Sequence, residues 1–160
     1  MMRAMRRIAL YGLGLLLASV LALSYATTSR AKARGPISHT CSATDHAFIN
    51  TATTNMTALD LWGQEYLSGD ATPEDVAAES ARAAKIVGAT APTDPSLAQT
   101  RKLLVAMFTE YRRAMEQQGR HRDAGEHIFH AYALANFAHD VLVKADPALD
   151  KRGCDVASLL

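Results

Sequence analysis

Only two cysteines occur in the 160 residues, too few for a disulfide-dense scaffold or a four-thiolate zinc site. A formal net charge of +1 excludes a strongly basic nucleic-acid binder and an acidic disordered tail. Aromatics contribute 6% of residues, and none interleave with the bases as they do in a single-strand binding groove. Several motifs are also missing. CxxC and CxxCH do not occur, so a thioredoxin-like redox motif and covalent haem attachment are excluded. His-Glu-x-x-His and a Gly-rich phosphate loop are absent, and no Ser-His-Asp, Cys-His or carboxylate pair has a recognisable local context. No alternating strand pattern and no internal repeat stand out.

The near-zero charge conceals a split. Residues 1–34 carry Arg3, Arg6, Arg7, Arg30, Lys32 and Arg34 and no acid, leaving eleven bases against sixteen acids, a net −5, over 35–160. Between the bases, Ile8 to Ala26 is a run of nineteen uncharged residues. About 20 apolar residues span a hydrocarbon core, and the three preceding arginines hold that end in the cytoplasm. Residues 1–34 therefore read as a basic n-region with a hydrophobic signal peptide or transmembrane anchor and a basic juxtamembrane linker. The anchor reading keeps the amino terminus cytoplasmic. In the alternative, cleavage after Ala26 or Ala33 releases a secreted chain.

Either fate places 35–160 outside the cytoplasm. There Cys41 and Cys154 are expected to pair, since an isolated pair of cysteines in an oxidising compartment is most simply a disulfide.

Punctuation divides 35–160 into four helices. In 44–67, Phe48, Ala52, Met56, Leu59, Trp62 and Tyr66 recur at three- and four-residue spacing, one apolar stripe. Thr72 and Pro73 open a second helix, as N-cap and first helical residue, with the stripe Val76, Ser80, Ala83 and Val87 and an end near Gly88. Asp94 and Pro95 open the third, with Leu97, Leu104, Met107, Phe108, Tyr111 and Met115 inward and Gly119 at its end. The fourth is expected over about 121–145, stopped by Asp146-Pro147. As the most apolar of the four, it is expected to be the most buried. Short loops predict an all-α, up-down-up-down four-helix bundle preceded by the hydrophobic leader helix. That topology puts the start of the first helix and the end of the fourth, flanked by the two cysteines, at one end.

The candidate chemistry sits in the last helix. Asp123, Glu126, His127 and His130 are spaced three and four apart, so they occupy neighbouring surface positions. Imidazole and carboxylate together suit a transition metal, although solvated or hydrogen-bonded histidines are the plainer reading. His139 is expected to be buried against Tyr111, Tyr132 or Asn136; its use with Met56 or Met107 as a haem ligand lacks any supporting motif. Arg112, Arg113, Arg120 and Arg122 gather near the third turn. They form an anion-binding tip unless the acids of the first turn, Asp70, Glu74 and Asp75, compensate them. Asn55-Met56-Thr57 matches a glycosylation sequon, but on a packed face where a glycan does not fit.

The expectation is a non-enzymatic envelope interaction or structural module, exported or anchored. It calls for no cofactor and no nucleic acid, and its partner is a protein or an envelope component. The alternative is an extracytoplasmic metal- or small-ligand-binding bundle using the last helix.

Overall fold

The computed structural model describes residues 40–160; the expected leader, with its apolar run Ile8–Ala26, lies outside them. The described chain is all-helical. It consists of α1 (Ala43–Ser68), α2 (Pro73–Gly88), α3 (Pro95–Gly119) and α4 (Gly125–Lys151), followed by a 3-10 turn at Ala157–Leu159. No helix among the described residues is long and apolar enough to cross a membrane.

Local chemistry sets the first three helices. The Ser42 hydroxyl accepts from the Asp45 amide at 3.1 Å and opens α1. Gly69, at φ 89°, closes it in the left-handed conformation that a side chain disfavours. Thr72 and Asp75 form a reciprocal capping box with Pro73 in the first turn of α2. Asp94 accepts from the Ser96 and Leu97 amides at the head of α3, again followed by proline.

The fourth helix departs from expectation at both ends. His121 takes a positive φ of 56° outside any helix. Asp123 then accepts from the Gly125 amide at 2.9 Å, a local turn that delays the helix start to Gly125. At the other end α4 runs through Pro147 to Lys151. A proline lacks the N–H that would bond one carbonyl four residues back. Here it falls in the exposed penultimate turn, and the following Leu149 is fully buried, which holds the last turn in place.

Contacts between the ends define the direction of each helix. The start of α1 meets the start of α3, where Asp45 Oδ1 accepts from the Thr93 and Asp94 amides at 2.7 and 3.0 Å. Their far ends meet where the Tyr66 hydroxyl donates to Gln118 Oε1 at 2.5 Å. Arg101, early in α3, donates to the carbonyls of Gly88 and Thr90 at the end of α2. Glu74, early in α2, lies over Gly119 at the end of α3. Cys154, after α4, is bonded to Cys41, before α1. Consecutive helices therefore run in opposite directions. Close backbone packing joins α3 to both α2 and α4, and α1 to α2.

The core is centred on α3. Leu97, Leu104, Met107 and Phe108 join Phe48, Ile49 and Ala52 from α1, Ala83 and Val87 from α2, and Ala131, Ala138, Leu142 and Leu149 from α4. A smaller cluster of Val76, Ala77, Ala114, Met115 and Ala124 fills the opposite end under Trp62 and Tyr66. The α2 stripe read from the sequence is fully buried at all four positions, Val76, Ser80, Ala83 and Val87. Ser80 satisfies its hydroxyl on the Val76 carbonyl at 2.7 Å. Asn55 is buried and donates to the Thr51 carbonyl at 2.7 Å, so the sequon is closed to a glycan in the folded chain.

One end is fastened by more than sulfur. Asp45 takes the two amides named above and the Thr93 hydroxyl at 2.9 Å. Asp94 caps α3 and pairs with Arg152, just past the end of α4. Burial alone raises both carboxyl pKa values. For Asp45 the donors from Asp94, Ser42 and Thr93 outweigh burial, and for Asp94 the Arg152 guanidinium and two helix amides do so; both are held below the usual range. The two acids also lie at the amino ends of α1 and α3, where the helix dipoles favour negative charge.

Two measurements check this arrangement. Phe108→Ala removes a fully buried ring at the centre of the core and is expected to cost about 3–5 kcal/mol in urea unfolding; a loss under about 0.5 kcal/mol contradicts the assigned core. Asp45→Asn is expected to cost about 1–3 kcal/mol at pH 7 by leaving buried donors poorly met. Because the folded carboxyl pKa is depressed, this stabilisation is present above the unfolded value of about 4 and fades as pH falls through the folded one. The gap between wild type and Asp45→Asn should therefore close below about pH 4; a gap unchanged from pH 7 to pH 3 contradicts the ionised role of Asp45.

Candidate functional site

The most apolar helix turns out to be the least buried, contrary to expectation. Only Ala131, Ala138, Leu142 and Leu149 of α4 are buried, whereas Phe129, Phe137, Val143 and Tyr132 are 67%, 59%, 49% and 39% exposed. The cause lies in α3. That helix already supplies the large groups Leu104, Met107 and Phe108 to the shared core, and the buried strip of α4 adds two alanines and two leucines to it. Alanines at such a contact allow a short interaxial distance. The aromatic side chains Phe129, Tyr132 and Phe137 of α4 are then left exposed.

The outward side is a defined face. At 100° per residue, Phe129, Ala133 and Phe137 form an i, i+4, i+8 row. Glu126, His130, Asp140 and Lys144, all exposed, flank it. Phe129 and His130 lie with ring centroids 6.1 Å apart.

The expected metal quartet is not assembled. His127 turns toward α3, where its Nδ1 lies 2.7 Å from Glu110 Oε2. Asp123 is engaged with the Gly125 amide, while Glu126 and His130 point to solvent. Among the described residues, the one group of three metal-type side chains within common ligand reach is Cys41, Asp45 and Cys154. Its two sulfurs are joined to each other, and its carboxylate is occupied by Thr93 and Asp94.

Glu110 is the polar hinge between α3 and α4. It accepts from Arg113 at 2.6 Å with one oxygen and faces His127 with the other. Burial by itself raises its pKa, but His127 and Arg113 outweigh burial and hold the carboxyl below its usual range. His139, expected to be buried, is instead half-buried, and no hydrogen bond joins it to Tyr111, Tyr132 or Asn136 among the described residues. The Tyr111 hydroxyl lies near Gly63 instead. Burial, aided by Tyr66 and Asp60, pushes its pKa up to about 12.

The basic tip also separates. Arg112 pairs with Glu116 at 3.1 Å and Arg113 with Glu110, both within α3. Arg120 and Arg122 remain exposed at the α3–α4 turn. The acids opposite are used locally, Asp70 by Ser68 and Asp75 by Thr72. A shallow hollow of about 240 Å³ lies elsewhere, between Gly88, Arg101, Lys102 and Val105. No protein family, curated protein or solved structure matches the chain.

Proposed function

We propose that residues 35–160 form an extracytoplasmic, up-down-up-down four-helix bundle, anchored by or released from its leader, that works by protein–protein contact and not by chemistry in a pocket. The observation that carries this reading is the outward face of α4, where Phe129 and Phe137 stand well over half exposed on a single helix. Large apolar side chains left exposed together on one helix face are the kind of surface that partners cover. The end-to-end contacts of the four helices support the bundle, and the Cys41–Cys154 bond suits an oxidising compartment. A disulfide closing so long a loop stabilises by about 4–5 kcal/mol in the chain-entropy model.

Site-specific photo-crosslinking in the native envelope tests the reading. A crosslinking residue at position 137 is expected to give an adduct with another polypeptide, and one at the exposed Gln64 on α1 is not. Absence of an adduct from both 129 and 137 contradicts the proposal.

A further inference from the structure

Within that reading, on which the inference rests, we infer that the occupant of the α4 face is a second copy of this chain, packed antiparallel. The argument is the order of charge along the helix. On the outward side the sequence runs Glu126, His130, Ala133, Phe137, Asp140, Lys144, and all but Ala133 are exposed. These six positions are symmetric about residue 135: 126 mirrors 144, 130 mirrors 140 and 133 mirrors 137.

A two-fold axis through that point, perpendicular to the helix, sets Glu126 against Lys144 of the second copy. His130 meets Asp140 of that copy, and each Phe137 ring lies over the small Ala133. Phe129 falls within one turn of Val143 on the opposing helix. The paired stretch from 126 to 144 is about 27 Å long at 1.5 Å per residue. A parallel arrangement would instead set Glu126 against Glu126 and Lys144 against Lys144. Opposite charge across a contact fixes register and orientation, and like charge rejects the alternative.

The four flanking groups are available. None of Glu126, His130, Asp140 or Lys144 is in an ion pair among the described residues. The exposed rings offer a modest area, well below that of an obligate dimer, so the pair belongs to the weak, micromolar class.

Sedimentation equilibrium of the full chain, purified from its native compartment and carried up to about 200 µM, tests the inference. Wild type is expected to approach twice the monomer mass, and Phe137→Asp to stay monomeric with its helix content unchanged. Glu126→Lys and Lys144→Glu are each expected to weaken association by about threefold to tenfold, and the two together to restore it. A wild type that stays monomeric, or a dimer indifferent to Phe137→Asp, overturns the inference, as does a double charge swap no tighter than the singles. The two readings fail separately. A photo-adduct at position 137 with a different polypeptide, beside a monomeric wild type, overturns self-association and leaves the interaction face standing. No adduct at all removes both.

Discussion

The fold depends most on what happens where three chain segments meet beside Cys41 and Cys154. Asp45 of α1 receives the amides of Thr93 and Asp94; Asp94 in turn starts α3 and receives Arg152 from beyond α4. Each carboxylate is buried, a costly state unless hydrogen bonds and charge replace the lost water. Here the replacement comes from three segments far apart in sequence, so the ions are satisfied only when all three are in place. The disulfide adds a covalent limit at the same point, with the two cysteines 113 residues apart in the chain. Sulfur restricts the unfolded chain, whereas the carboxylates specify the folded one.

That fastening fixes which side of α4 faces the core. Leu149 and Cys154 are pinned beside Cys41, and Glu110 pairs with His127 near the other end. Between these points the helix meets α3 along Ala131, Ala138 and Leu142, and its aromatic residues are left outside. The outward aromatic face is thus a consequence of core economy: α3 supplies most of the large core groups, and the aromatic side chains of α4 stay outside. The proposed role in protein contact, and the proposed self-pairing, both follow from this division.

Much of the fold is legible in the sequence because its signals are local. Thr72-Pro73 and Asp94-Pro95 announce helix starts through cap chemistry that needs no tertiary partner. The stripes Val76, Ser80, Ala83, Val87 and Leu104, Met107, Phe108 show themselves by periodicity. The spacing of the two cysteines from the helix ends anticipates their meeting. The misreadings concern choices made between helices. Periodicity says that α4 is apolar on several sides but not which side α3 will accept, since that depends on the relative sizes of facing residues. Pro147 reads as a stop, and the buried Leu149 beyond it overrides that signal. Asp45 is one acid among sixteen in the sequence; only the fold brings Thr93 and Asp94 to it. His127 is drawn away from its expected neighbours by Glu110, seventeen residues earlier on another helix.

Native-state hydrogen exchange on oxidised and reduced protein tests the central claim most directly. If the clasp at Cys41, Asp45, Asp94, Arg152 and Cys154 holds α4 in place, reduction should lower protection first in the opening turn of α1 and the last two turns of α4. The centres of α2 and α3 should keep theirs. Protection in α4 that is unchanged by reduction, or lost evenly across all four helices, contradicts the account.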